Sequence, residues 1–189
     1  PMWLTKLGDK MIFSADDGEN GRELWITDNT EEGTTMIKDI NPGNNSSFPT
    51  GPMKEMGGFV YFSANDGTHG WELWRTDGTE EGTNMVRDIR EGENSSLSWG
   101  STAHWHGEYT LVHNNHFYFS ANDGESGQEL WRTDGTESGT ELIVDVNVGE
   151  GGSWPWWFTT MGDKIYFTSW DGDQRQLWFY WDNPGPVIS

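Results

Sequence analysis

The octapeptide Glu72-Leu73-Trp74-Arg75-Thr76-Asp77-Gly78-Thr79 is repeated, letter for letter, at residues 129–136. A shorter copy, Glu23-Leu24-Trp25, precedes it, and an altered copy, Gln176-Leu177-Trp178, follows the second full one. The four tryptophans are 49, 57 and 47 residues apart, and a phenylalanine lies about 12 residues ahead of each. A period of this length is typical of propellers, solenoids and arrays.

Each repeat consists of short apolar runs separated by turn residues. In the first copy the runs cover residues 3–7, 10–15, 23–27 and 36–40, and their aromatic and β-branched content predicts four strands. Asp-Gly and Gly-Thr pairs between the runs are typical of turns. The chain has no apolar pattern of helical period long enough for a helix.

The pattern predicts an all-β protein, a four-bladed β-propeller with four antiparallel strands in each repeat of about 48 residues. We expect one domain over residues 1–189, with repeats at approximately 1–50, 51–107, 108–155 and 156–189. Two alternatives remain open at this point. The same units form a solenoid if they stack in a row, and the chain forms half of an eight-bladed ring if two copies combine.

The full copies resemble the repeats of the ELWxxDGT family, found in large secreted or surface proteins of bacteria and archaea. The resemblance extends to Phe62-Ser63-Ala64-Asn65-Asp66-Gly67 and its copy at 119–124, and covers nearly the whole chain. The first copy departs from the motif at Asn29, and the last has Gln176 in place of the glutamate. The resemblance implies a propeller-like fold and an extracellular setting, and it supplies no catalytic residues.

The charge of the chain restricts its partners. Thirty-one acidic residues against eleven basic ones give a net charge of -20, which repels nucleic acid and anionic membranes. There is no apolar run of 18 residues, so we expect no membrane insertion, and the absence of cysteine excludes disulfides. The chain begins without a basic and apolar leader, and we expect any signal peptide to have been removed already or never to have been included.

Acidic turns suggest calcium. Asp17, Asp66, Asp123 and Asp171 recur at one position of the repeat, next to further oxygen-bearing side chains. Calcium binds six to eight oxygen ligands of this kind. The competing interpretation is a simple hairpin turn, for which Asp before Gly is favoured.

Histidines suggest a second type of metal site. His104 and His106 lie near His113 and His116, within the only repeat that carries an insertion. Imidazole is a ligand for zinc, copper and nickel, so these residues suggest one possible function, that of a metal-dependent enzyme. A polar loop rich in His and Asn is the competing interpretation.

Nine of the thirteen tryptophans fall into two groups. The four repeat tryptophans are expected to fill the space between adjacent blades. The irregular ones lie outside the strand pattern and predict an aromatic platform for sugars or for a partner chain: Trp99, Trp105, Trp154, Trp156 and Trp157. The competing interpretation is that they anchor loops over the blade ends.

Glycosylation is predicted from Asn-X-Ser sequons. They lie at Asn44, Asn45 and Asn94, and two repeats carry them at the same point, just after the apolar run that ends at Ile40 or Ile89. Recurrence on one loop favours a surface position for these asparagines.

The sequence therefore predicts a non-enzymatic, extracellular or cell-surface module with a structural or adhesive role. We expect it to associate with copies of itself or with neighbouring surface proteins, as a filament or surface-layer subunit does. Its terminal strands, at 3–7 and 186–189, are available to close a ring or to pair between subunits. The alternative is a lectin-like propeller that binds glycans through its loop tryptophans.

Overall fold

The computed structural model describes residues 1–97 and 109–181, apart from the side chain of Pro52. Fifteen strands and no helix occur in these two ranges, which therefore contain no helix long and apolar enough to cross a lipid bilayer. The strands are β1 (Met2–Leu7), β2 (Lys10–Asp16), β3 (Arg22–Thr27), β4 (Thr35–Lys38), β5 (Thr50–Met56), β6 (Phe59–Asn65), β7 (Trp71–Thr76), β8 (Asn84–Arg87), β9 (Leu111–His113), β10 (His116–Asn122), β11 (Gln128–Thr133), β12 (Glu141–Val144), β13 (Trp156–Met161), β14 (Lys164–Trp170) and β15 (Arg175–Trp181).

Each repeat folds as one antiparallel sheet in which every strand pairs with the next strand along the chain. We number the sheets in chain order: sheet 1 is β1–β4, sheet 2 is β5–β8, sheet 3 is β9–β12 and sheet 4 is β13–β15. The predicted all-β architecture of four antiparallel sheets is confirmed. The strand predicted at 186–189 lies outside the described residues.

The Thr-Asp-Gly-Thr part of the motif is a turn held by side chains. Asp77 Oδ1 accepts a hydrogen bond from the Thr79 N–H at 2.9 Å, and Thr79 Oγ1 accepts one from the Gly82 N–H at 3.0 Å. A Cβ on Gly82 would lie 2.0 Å from Asp77 Oδ1, so this position requires glycine. The corresponding bonds form in sheets 1 and 3, which explains why these letters repeat.

Alternation along the strands gives each sheet two different faces. Phe13 pairs with Trp25 across β2 and β3, and these two side chains share one face, which we call the leading face. Ile12 pairs with Ile26, and together with Leu24 they lie on the opposite face, which we call the trailing face. Equivalent positions define the same two faces in the other sheets.

Successive sheets pack with the trailing face of one against the leading face of the next. The core between sheets 1 and 2 joins Ile12, Leu24 and Ile26 to Val60, Phe62 and Trp74. The core between sheets 2 and 3 joins Tyr61 and Leu73 to Phe117, Phe119 and Trp131. The core between sheets 3 and 4 joins Tyr118 and Leu130 to Ile165 and Phe167, with Trp178 packed against them.

Polar and aromatic contacts reinforce these interfaces. The rings of Tyr61 and Phe117 stack with centroids 5.2 Å apart. Arg132 Nη1 in sheet 3 donates to the Tyr180 hydroxyl in sheet 4 at 3.1 Å. Lys38 at the end of sheet 1 donates to the Thr83 carbonyl beside sheet 2 at 2.8 Å. Each sheet is therefore tied to the next by specific bonds as well as by apolar burial.

The repeat tryptophans have the role predicted for them. Trp74 and Trp131 are buried in the cores between sheets 1 and 2 and between sheets 2 and 3. Trp25 occupies the same position in sheet 1 but is only half-buried, since no core cluster of the described residues covers that face. Within the two described ranges, no core cluster joins sheet 4 to sheet 1, and closure into a four-bladed ring stays a prediction.

Candidate functional site

The leading face of sheet 1 is open. Met11 is 39% exposed, whereas the residues at its position in the other sheets are buried, with exposures of 0% for Val60, 2% for Phe117 and 0% for Ile165. Phe13 and Trp25 on the same face are half-buried. Sheet 1 thus presents to solvent the apolar surface that every later sheet packs against its predecessor.

The trailing face of sheet 4 is open as well. Leu177 is 71% exposed, and its equivalents Leu24, Leu73 and Leu130 are no more than 3% exposed. Phe179 is 57% exposed, whereas Ile26 at the same position of sheet 1 is buried. Exposed apolar surface of this extent on one sheet face is typical of an interaction site.

These two open faces are the two halves of one kind of interface. The chain makes that interface three times, always with the trailing face of one sheet on the leading face of the next. The unpaired trailing half carries Lys164, whose Nζ lies 4.5 Å from the centre of the Phe179 ring. It therefore combines apolar side chains with a cation, in a chain whose net charge is -20.

The glutamate of the motif is a buried anchor, a role that the sequence analysis missed. Glu72 is fully buried and accepts hydrogen bonds from the N–H of Ser96 at 2.9 Å, the N–H of Ile89 at 3.2 Å and the Ser96 hydroxyl at 2.5 Å. Glu23 and Glu129 make the same three contacts. The constant 24-residue spacing between each glutamate and its serine was the available signal.

The anchored serines connect neighbouring sheets. The Ser47 carbonyl accepts the N–H of Asn65 in sheet 2 at 3.0 Å, and the Ser96 carbonyl accepts the N–H of Asn122 in sheet 3 at 2.9 Å. The glutamate therefore fixes the segment that leads from one sheet to the next. In sheet 4 the position is taken by Gln176, which is exposed and bonds to Asp171 in its own turn instead.

Burial changes the acidity of these anchors. Desolvation raises the pKa of Glu23, Glu72 and Glu129, against the opposing effect of the serine hydrogen bonds, and brings the pKa of Glu72 to about 7. The packing of each connecting segment is therefore linked to pH.

The four recurrent aspartates lie in the predicted turns, where they act as caps. Asp66 Oδ1 accepts the N–H groups of Thr68 and His69, both at 2.9 Å, and Asp17, Asp123 and Asp171 make the matching backbone bonds. Hydrogen bonds from Asn20 and Glu19 lower the pKa of Asp17 to about 2. Residues 1–97 and 109–181 contain no group of three or more His, Cys, Asp or Glu suited to a metal ion. Calcium at these positions stays a prediction.

The sequon asparagines lie on exposed loops. Asn44, Asn45 and Asn94 are all exposed, and Asn45 and Asn94 occupy equivalent points of sheets 1 and 2. Access at these positions fits the predicted modification, which itself stays a prediction.

The irregular tryptophans are partly described. Trp154 and Trp157 are 44% and 53% exposed and have positive φ angles. Trp156 is half-buried, and the Arg175 guanidinium lies 4.5 Å above its ring. The other two predicted platform residues, Trp99 and Trp105, lie outside the described residues. The aromatic platform therefore stays a prediction.

The predicted histidine cluster is also only partly described. His113 and His116 pair across the β9–β10 turn, and His116 Nδ1 lies 3.0 Å from the Asn114 carbonyl. His104 and His106 lie outside the described residues, so the predicted metal site is untested.

Two solved structures match the chain at low sequence identity. The crystal structure of a puromycin hydrolase mutant complexed with PGG matches 91% of this chain with a TM-score of 0.53 at 18% identity, over 25% of its own length. A putative TolB from Agrobacterium tumefaciens matches 91% of this chain with a TM-score of 0.45 at 16% identity, over 57% of its own length. No protein-family model and no curated protein matches the chain. The chain spans a quarter of the puromycin hydrolase and just over half of the TolB protein, and the likeness to the hydrolase is one of fold.

Proposed function

We propose that this chain is a non-enzymatic, extracellular structural module of the ELWxxDGT type, whose four sheets are propeller blades. It self-associates, or binds neighbouring surface proteins of the same repeat type, through its two open end faces. The observation that carries the proposal is the exposure of Leu177, at a position where the same residue is buried in each of the other three sheets.

The occupant we assign to the open faces is a second copy of this chain. A trailing face of this repeat already packs on a leading face three times within one molecule, each time in a buried apolar core. The trailing face of sheet 4 and the leading face of sheet 1 retain the side chains of that interface. The contact between copies is therefore continuous with the internal ones.

This contact is heterologous, because one copy contributes its trailing face and the other its leading face. Heterologous contacts close into a ring or continue as an open filament, depending on the rotation between copies. Both outcomes suit a structural subunit. Closure of sheet 4 on sheet 1 of the same chain is the competing arrangement, and it predicts a monomer.

Light scattering coupled to size-exclusion chromatography tests the proposal. We expect the mean mass to rise with protein concentration, and Leu177→Asp to reduce it to that of one chain, because association would bury an unpaired carboxylate in an apolar contact. Val148→Asp is the matched control, since Val148 is also highly exposed, at 88%, but lies in a loop outside both faces. Its mass profile should follow the wild type. A wild-type mass equal to one chain at every concentration contradicts the proposal.

A further inference from the structure

An open cleft lies between the loops of sheets 1 and 2. Its volume is about 410 Å³, and its lining combines aromatic rings, amides, a hydroxyl and a carboxylate: Asn41, Phe48, Asn65, Thr68, Trp71 and Glu93. None of the described residues that line it is a lysine or an arginine. Concave sites with a few polar groups around an apolar floor are typical of small-ligand binding.

Two aromatic side chains form the floor of this cleft. The rings of Phe48 and Trp71 have centroids 6.4 Å apart and are tilted by 32°, with Phe48 41% exposed. The backbone holds both in place, because the Phe48 N–H donates to the Arg22 carbonyl at 3.1 Å and the Trp71 N–H donates to Ser95 Oγ at 2.9 Å. The floor is therefore largely preformed.

Phe48 has an unfavourable backbone conformation. Its φ angle is +46°, in the left-handed region that bulky residues avoid. Such residues concentrate at ligand clamps and active sites, where the surrounding structure compensates the strain. The conformation leaves a large part of the ring exposed, although burial of an aromatic side chain is favourable.

The scaffold does not require these aromatics. Positions equivalent to Trp71 carry Arg22, Gln128 and Arg175, and the position equivalent to Phe48 in sheet 2 carries the buried Leu97. The neighbouring groove between sheets 2 and 3, of about 580 Å³, has a charged lining that includes Arg87, Arg90, Glu91 and Asp123. Of these two described grooves, only the cleft between sheets 1 and 2 has an exposed or half-buried aromatic ring at both the Phe48 position and the Trp71 position.

We propose that this cleft binds a neutral saccharide. The C–H faces of a pyranose ring stack on aromatic rings, whose faces are electron-rich. Polar groups at the rim supply hydrogen bonds to sugar hydroxyls: Asn65 accepts the Gly67 N–H through its Oδ1 at 2.7 Å, which leaves its amide nitrogen as a donor. The carboxylate of Glu93 and the net charge of -20 select against anionic sugars.

Isothermal titration calorimetry with defined oligosaccharides tests this site. The probes are laminarihexaose, cellohexaose, mannohexaose and chitohexaose, with trigalacturonic acid as the anionic comparison. We expect at least one neutral hexasaccharide to bind, and trigalacturonic acid to give no heat. Trp71→Gln and Phe48→Leu should each weaken binding by about tenfold or more. Both variants insert the residue that this scaffold carries at an equivalent position, Gln128 or Leu97, so the fold is retained.

Trp170→Ala is the matched control, because Trp170 has an exposure similar to that of Phe48, at 38%, but lies in β14 and does not line the cleft. Its affinity should stay within about twofold of the wild type. Three results would overturn the proposal: no heat with any neutral hexasaccharide, unchanged affinity in Trp71→Gln and Phe48→Leu, or an equal loss in Trp170→Ala. The assay measures binding by the wild-type chain and is independent of its state of association.

Discussion

The interface between sheets 2 and 3 and the outer faces of sheets 1 and 4 carry related side chains in opposite environments. Inside the molecule Leu73, Phe117 and Trp131 are enclosed. At the ends Met11 and Leu177 occupy the corresponding positions and are exposed. The same repeat positions therefore stabilise the fold in the middle of the chain and are available for association in sheets 1 and 4.

This difference in exposure follows from the order in which the sheets pack, and not from the amino-acid composition of the sheets. As long as the row of sheets is not closed into a ring, packing of trailing face on leading face leaves one face of each kind without a neighbour. Repeat proteins commonly cover such faces with a polar capping repeat. Sheet 4 instead carries Leu177, Phe179 and Trp181 there, all exposed, so the end of the row keeps an apolar surface.

Truncation of equivalent leucines is expected to give the largest contrast. Leu130→Ala removes a fully buried side chain from the core between sheets 3 and 4, and should lower the free energy of unfolding by about 2–5 kcal/mol. Leu177→Ala should change the stability of a single chain by less than about 0.5 kcal/mol, because the side chain is already in water. Urea denaturation at a concentration where the chain is monomeric measures both. Equal losses would mean that Leu177 packs against another part of its own chain.

The buried anchors should make the internal connections sensitive to pH. A carboxyl whose pKa is raised on folding contributes stability that is fully present below its unfolded pKa and is lost as the pH rises through its folded pKa. For Glu72 the ordinary pKa is 4.5 and the folded pKa is about 7, so this loss occurs over that pH range. Glu72→Gln cannot titrate. The free energy of unfolding of Glu72→Gln should therefore rise relative to that of the wild type as the pH increases from about 4.5 to 8.

Denaturant titrations at pH 4.5, 6 and 8 measure that shift. Glu80→Gln removes the same charge from an exposed turn and serves as the control, with a difference from wild type that is nearly constant across this range. A difference for Glu72→Gln that does not change with pH would disprove the link between burial and stability at this position.

The turns are expected to give the smallest effect. Thr79→Ala removes the acceptor of the Gly82 N–H and the donor to Asp77 Oδ1, both on the exposed surface, and should cost about 0.5–1.5 kcal/mol. Thr68→Ala is a suitable comparison, because the Asp66 turn uses only the backbone N–H of Thr68. Thermal unfolding of the two variants distinguishes them, and an equal loss would show that the Thr79 hydroxyl has no capping role.

Local features of the fold could be predicted from the sequence because they repeat. The strands, the turns around Asp77 and Gly78, and the position of Trp74 between sheets each recur at a fixed interval. Short-range chemistry determines them, so copies of the same letters give the same structure. The all-β architecture was accessible for this reason.

The features that depend on distant partners were not accessible in the same way. Glu72 is anchored by Ser96, which lies 24 residues away, and only the folded connection brings the two together. The Phe48 and Trp71 rings meet for the same reason. The exposure of Leu177 depends on whether another sheet follows it, which the motif itself does not determine.

Mixing two variants is the most direct test of the contact between the trailing face of one copy and the leading face of another. Met11→Asp disables the leading face of sheet 1 and leaves the trailing face of sheet 4 intact, and Leu177→Asp does the reverse. We expect each variant alone to have the mass of one chain by light scattering, and an equimolar mixture to form a dimer of one copy of each. A mixture that stays monomeric, or a single variant that still associates, would contradict the proposed contact between trailing and leading faces.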